Sequence, residues 1–240
     1  MAHEHWMPRN RPLSVLLSFA TAMSVAWAAP ALRPIELRCE HGANPLGIDA
    51  PNPPLSWLLE GDARDQRQIA YQICVATTAE RLAAGQADLW DSGRVDSNQS
   101  VHVAYGGPPL TSRQRCHWKV RVWDSESVPS DWSAPATWEM GLLHPQDWQA
   151  IWIGSGPERE PRPAHGFFRS TTETNQPVIV DGRSTLLRKS FVIEMPVRQA
   201  RVYVSGLGYY ELQLNGPKVW DQVLAPAKTN YRQWVLYEDR

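Results

Sequence analysis

Apolar and polar residues alternate with a period of two over much of this chain. That spacing marks half-buried β-strands, because successive side chains leave a strand on opposite faces. The clearest run places Cys116, Trp118, Val120 and Val122 on one face and His117, Lys119 and Arg121 on the other. Residues 124–131 then gather Asp, Ser, Glu and Pro, which are turn formers. A second strand is expected from Trp132, with Ala136, Trp138 and Met140 on one face. Two strands and a polar turn, with tryptophans to fill the space between sheets, predict the closing hairpin of a β-sandwich.

Further strands are predicted over 35–39, 55–59 around Trp57, 68–76 and 101–105, the last ended by Gly106-Gly107-Pro108-Pro109. A single helical turn is expected over 77–84, with Thr77 and Glu80 at capping-box spacing and Gly85 as the stop. The whole makes about seven short strands in roughly a hundred residues, the pattern of an immunoglobulin-like or fibronectin type III sandwich. A linker and a Pro-rich loop occupy 142–185. Strands are expected again from Leu186, over 200–205 and 209–214, then over 219–224 and 234–237, with a tight hairpin at Asn215-Gly216. About five strands are few for a closed sandwich, so this second unit (186–240) is expected to be incomplete and prone to aggregate through its open edges.

The fold class is therefore all-β. Twelve Trp among 240 residues fit the need to fill sandwich cores. A net charge of -1 and the absence of a basic run argue against nucleic acid as a partner. Residues 1–28 read as a secretory signal: Arg9 and Arg11, an apolar run over 13–25, then Ala26-Trp27-Ala28 before Ala29. The run is short and rich in Ser and Thr, so no membrane span is expected after cleavage, and the mature chain is expected to be secreted or periplasmic. Three cysteines cannot all pair. By strand parity Cys39 and Cys116 face inward, where a bridge is conceivable, and Cys74 faces outward. Buried free thiols are the favoured reading.

A search for chemistry finds no catalytic residue. There is no G-x-S-x-G elbow, no C-x-x-C pair, and no His-x-x-x-His beyond the leader, so no metal or cofactor is called for. His3 and His5 fall in the segment to be removed. Sugar hydrolysis needs two opposed carboxylates. Asp124, Glu126 and Asp131 crowd one turn, and Glu158 and Glu160 sit in the Pro-rich loop. Their pattern is that of solvated turn formers. Asn98-Gln99-Ser100 has the form of a glycosylation acceptor.

Several segments, taken in order, resemble the amino-terminal part of bacterial α-L-rhamnosidases of glycoside hydrolase family 78. They are LRCEHGANPLGIDAPNPPLSW (37–57), AYQICVA (70–76), DLWDSGRV (88–95), WKVRVWD (118–124), WEMGLL (138–143), DWQAIWIG (147–154), LLRKSF (186–191) and ARVYVSGLGYYELQLNG (200–216). The resemblance implies a fibronectin-like module (33–141) followed by a truncated jelly-roll-like rhamnosidase N-terminal module (186–240). Family members release terminal α-L-rhamnose with inversion, using two carboxylates in a downstream (α/α)6 barrel. No long helical period occurs here, so no catalytic residue carries over.

Partners implied are rhamnose-containing glycosides, reached through the full-length enzyme, and the downstream domains of the same protein. In some relatives a module of this kind binds rhamnose, in one case with calcium. Tyr209, Tyr210, Asn215 and Trp220 are the candidate carbohydrate contacts. Against that, Tyr210, Leu212 and Leu214 alternate as a core face, and Asn215 is accounted for by its turn. The alternatives are a free-standing carbohydrate-binding module and a secreted fibronectin-like protein-binding domain.

Overall fold

The computed structural model describes residues 32–62, 64–154 and 185–239. The leader at 1–28 and the loop carrying Glu158 and Glu160 lie outside these. Residues 32–143 form two antiparallel sheets packed face to face. One runs β1 (Arg33–Cys39), β2 (Pro54–Glu60), β6 (Val103–Ala104). The other runs β4 (Trp90–Asp91), β3 (Ala70–Ala76), β7 (Arg115–Trp123), β8 (Ala136–Glu139), with β5 (Val95–Asp96) also on β3. The alternation along 116–122 is realised on β7, whose register sets Val122 opposite Tyr71, Val120 opposite Ile73 and Trp118 opposite Val75. Those inward rows meet Leu55 and Trp57 of the facing sheet in one core. Trp118 and Trp138 meet edge to face at 6.4 Å, and Tyr105 meets Trp138 at 5.9 Å, the offset that aromatic quadrupoles favour.

Of the buried indoles in this core, Trp118 and Trp138 leave their N–H groups without a hydrogen-bond partner among the described residues, whereas Trp57 is matched. The Trp57 indole N–H donates to Gln68 Oε1 (3.0 Å), and Gln68 Nε2 donates to the carbonyls of Ser97 and Gln99. The second strand of the closing hairpin begins at Ala136, not Trp132. Across the stretch ending at Pro135, serine hydroxyls take over from backbone carbonyls: Val120 N–H donates to Ser133 Oγ and Val122 N–H to Ser130 Oγ, both 3.1 Å. Trp132 instead turns to the outer face, where Lys119 (4.8 Å) and Arg121 (4.8 Å) lie over its ring.

Cys74 does face outward, yet it is buried beneath the helix α1 (Ala79–Ala83), with Ala76, Leu82 and Trp132 around it. The expected cap is displaced by one residue. Thr78, not Thr77, accepts from the Arg81 N–H, because Thr77 gives both its N–H (2.9 Å) and its hydroxyl (2.7 Å) to the Asp88 carboxylate. All three cysteines are free and buried, and no Cys39–Cys116 bridge forms. Burial pushes the Cys39 and Cys116 thiols up to about 12 and Cys74 to about 11.

The second unit departs further from expectation. Among the described residues it contains one antiparallel pair, β9 (Tyr203–Ser205) with β10 (Tyr237–Asp239). The hairpin at Asn215-Gly216 closes through a single Gln213–Lys218 bridge, with Asn215 at φ 53° and Gly216 at φ 107°. The strands expected from 186 and over 209–214 and 219–224 are absent from the described residues. Strand-patterned sequence becomes strand only when a neighbour accepts its ladder. Phe191, Val192 and Met195 are exposed there, and Leu214, assigned to a core face, is 56% exposed.

Candidate functional site at the module joint

The strongest polar constellation lies where the two units meet. β8 ends in Glu139, whose neighbour Trp138 fills the core, so alternation turns the carboxylate outward. It is nonetheless 3% exposed. Arg201 covers it with a two-pronged ion pair, Nε to Oε1 at 2.6 Å and Nη2 to Oε2 at 2.7 Å, and Gln199 Nε2 adds a bond at 3.3 Å. This fork geometry is the strong form of an ion pair. It raises the Arg201 pKa further, through the hydrogen bonds to Glu139.

Around that pair the backbones approach closely. The Leu142 N–H donates to the Tyr237 hydroxyl oxygen (2.9 Å), and Tyr237 packs between Trp148 (5.8 Å) and Tyr203 (6.0 Å). A Cβ at Gly141 would lie 2.6 Å from the Tyr237 hydroxyl, and one at Gly47 (φ 70°) would lie 2.7 Å from Asp239 Oδ1. Both positions therefore require glycine, one for proximity and the other for backbone as well. The Arg113 guanidinium sits 5.4 Å over the Tyr203 ring.

The candidate carbohydrate contacts are only partly brought together. Tyr210 meets Trp220 edge to face at 6.1 Å and donates its hydroxyl to Glu238 (3.0 Å), so both rings are engaged within the unit. Asn215 occupies the hairpin tip, and Tyr209 is 64% exposed. Of the carboxylates weighed from the sequence, Asp124 is a turn former: its Oδ1 accepts from Glu126 N–H and Val128 N–H, both 2.9 Å. Glu139 and Arg201 were not singled out from the sequence. The one available signal was a charged pair inside two otherwise strand-patterned segments.

Comparison with known proteins follows this division. Residues 34–144 match the model of the Rha78A-like, N-terminal immunoglobulin domain, and residues 195–239 that of the alpha-L-rhamnosidase N-terminal domain. An alpha-L-rhamnosidase of Formosa agariphila is 38% identical over 199 residues, covering 81% of this chain and 21% of the relative. The solved alpha-L-rhamnosidase from Dictyoglumus thermophilum superposes with a TM-score of 0.70 at 36% identity, over 86% of this chain and 23% of that one. The Streptomyces avermitilis alpha-L-rhamnosidase, solved with L-rhamnose, gives 0.51 at 47% identity over 52% of this chain and 12% of its own. The chain spans about a fifth of the length of the relatives it matches most extensively. Its two units thus match, in order, the two amino-terminal domain models of α-L-rhamnosidases, and the chain is similar to the amino-terminal region of those proteins.

Proposed function

We propose that this chain is the amino-terminal β-scaffold of an exported α-L-rhamnosidase, and that the hydrolysis of terminal α-L-rhamnose from glycosides is carried out by sequence outside these 240 residues. The observation that carries this reading is the coverage: 81% of the chain aligns with 21% of an α-L-rhamnosidase. In this reading the immunoglobulin-like module is a self-contained block, and the Glu139–Arg201 joint fixes the second unit upon it. The exposed apolar residues of that unit, among them Phe191, Val192 and Met195, are surface for further strands of the same protein. Residues 1–28 act as a cleaved leader, and neither nucleic acid nor membrane is a partner of the mature chain. Of the aromatic candidate contacts at 209, 210 and 220, Tyr209 is the exposed one, at 64%.

A chimera tests the scaffold. This chain replaces the matching 199 residues of the Formosa relative, and release of nitrophenol from a nitrophenyl α-L-rhamnoside is compared with that of the relative lacking the segment. Restored turnover by the chimera, with none from the 240-residue chain alone, is the expected result. Turnover by the isolated chain, after a contaminant control, would overturn the reading. Amino-terminal sequencing of exported protein checks the leader; the expected first residue is Ala29.

A further inference from the structure

A cavity of about 180 Å³ opens at the module joint, lined by Arg113, Leu142, Asp147, Trp148, Gln149 and Tyr203 among others. We infer that this cavity is a binding subsite for one neutral monosaccharide. Its walls carry the two chemistries a sugar ring needs. Trp148 and Tyr203 supply aromatic surface for the C–H face of a pyranose, and both are braced by Tyr237, at 5.8 and 6.0 Å. Arg113, Asp147 and Gln149 supply donors and acceptors for the hydroxyl edge.

The polar groups are held in place by bonds that leave them capacity. Arg113 spends Nη2 on the Asp147 carbonyl (2.8 Å) and lies over the Tyr203 ring, with further N–H groups to offer. The Asp147 carboxylate is oriented at Oδ2 by the Ser112 hydroxyl and the His144 N–H, so neither of these bonds occupies Oδ1. The Ser112 bond keeps the Asp147 pKa below its usual value, so the group is an acceptor at neutral pH. The buried Tyr203 hydroxyl makes no hydrogen bond of ordinary geometry among the described residues, although the Arg113 guanidinium lies near enough to act on it.

Charge and size choose the ligand. One guanidinium and one carboxylate balance, which favours neither an anion nor a cation. The volume is below the roughly 300–1,000 Å³ of sites for drug-sized ligands, so a single ring fits and a disaccharide does not. Only the choice of L-rhamnose as first probe rests on the proposed function.

The test titrates the full chain with L-rhamnose, D-glucose and glycerol, following tryptophan fluorescence and heat. We expect saturable L-rhamnose binding at about millimolar concentration. Gln149 is exposed, and Gln149→Ala should weaken binding about fivefold; Trp148→Ala should weaken it about tenfold or more. Val128→Ser, at an exposed turn of the sandwich, should leave it unchanged, with near-ultraviolet dichroism checking the fold of each variant. Saturable binding of D-glucose but not L-rhamnose supports the site while counting against the rhamnoside reading. No saturable response to either sugar, equal binding of glycerol, or binding indifferent to both Gln149→Ala and Trp148→Ala overturns the inference.

Discussion

Replacing Arg201 by Met removes the guanidinium from a carboxylate that is 3% exposed, and the loss is not symmetrical with removing the carboxylate. In Arg201→Met, Glu139 keeps only the 3.3 Å bond from Gln199. Breaking a buried pair from one side costs about 3–5 kcal/mol. Because the Arg201 side chain is itself 22% exposed, the pair is partly solvated and about 2–4 kcal/mol is the reasoned range. In Glu139→Gln the guanidinium retains an amide oxygen and reaches water, so about 1 kcal/mol is expected. The second unit can also escape the penalty by undocking, which caps the loss at the free energy of docking. Two measurements are therefore needed: urea unfolding followed by tryptophan fluorescence for the sandwich core, and hydrogen exchange or limited proteolysis over 199–205 for the joint. Arg201→Met should open the joint with little change in the urea midpoint of the core. Equal effects of the two variants on the joint would refute the reasoning.

Three further outcomes follow from the core and the helix. The thiols of Cys39, Cys74 and Cys116 should resist a thiol reagent in the native chain at pH 8 and all react in denaturant, since burial raises their pKa values to between about 11 and about 12. With folded values above the unfolded one, their contribution is intact below about pH 8.5 and lost as pH rises beyond it, at up to about 1.4 kcal/mol per pH unit per thiol; alkaline urea titrations check this. Gln68→Leu should cost about 1–3 kcal/mol in chemical denaturation, because it strands the Trp57 indole N–H in the core. Thr78→Ala should cost about 1 kcal/mol as the lost cap of α1, measured the same way.

The sandwich was legible because its periodicity and its burial coincide. On β7, Cys116, Trp118, Val120 and Val122 are all fully buried, as their spacing requires. What was not legible is burial imposed from elsewhere. Glu139 sits on the face that alternation gives to solvent, and it is covered by Gln199 and by Arg201, the latter sixty-two residues downstream. Cys74 is likewise outward by parity and buried by a helix. Thr77 and Thr78 both have capping chemistry, and only the position of Asp88 decides between them. The short β4 and β5 escaped notice because two-residue strands carry no period. The candidate sugar contacts Tyr209, Tyr210, Asn215 and Trp220 rest on the family resemblance and on residue type; the structure shows Tyr210 and Trp220 facing each other, an outcome composition does not encode.

The contrast between the halves yields one last expectation. In the sandwich Trp57, Trp118 and Trp138 are at most 1% exposed, while in the second unit Leu186 is 95% and Val192 89% exposed. The first half satisfies its apolar surface internally; the second gains order from the Tyr237 and Arg201 contacts with the first. Removing residues 155–240 should therefore leave a cooperative sandwich and take away most of the apolar surface. The shortened chain should bind less of a hydrophobic dye and run as a sharper peak in size-exclusion chromatography than the full chain. It loses the Arg201 cover of Glu139, but that carboxylate then meets water directly and needs no cation. If the shortened chain instead unfolds or aggregates more readily, the second unit contributes to the core of the first, and the dependence runs the other way.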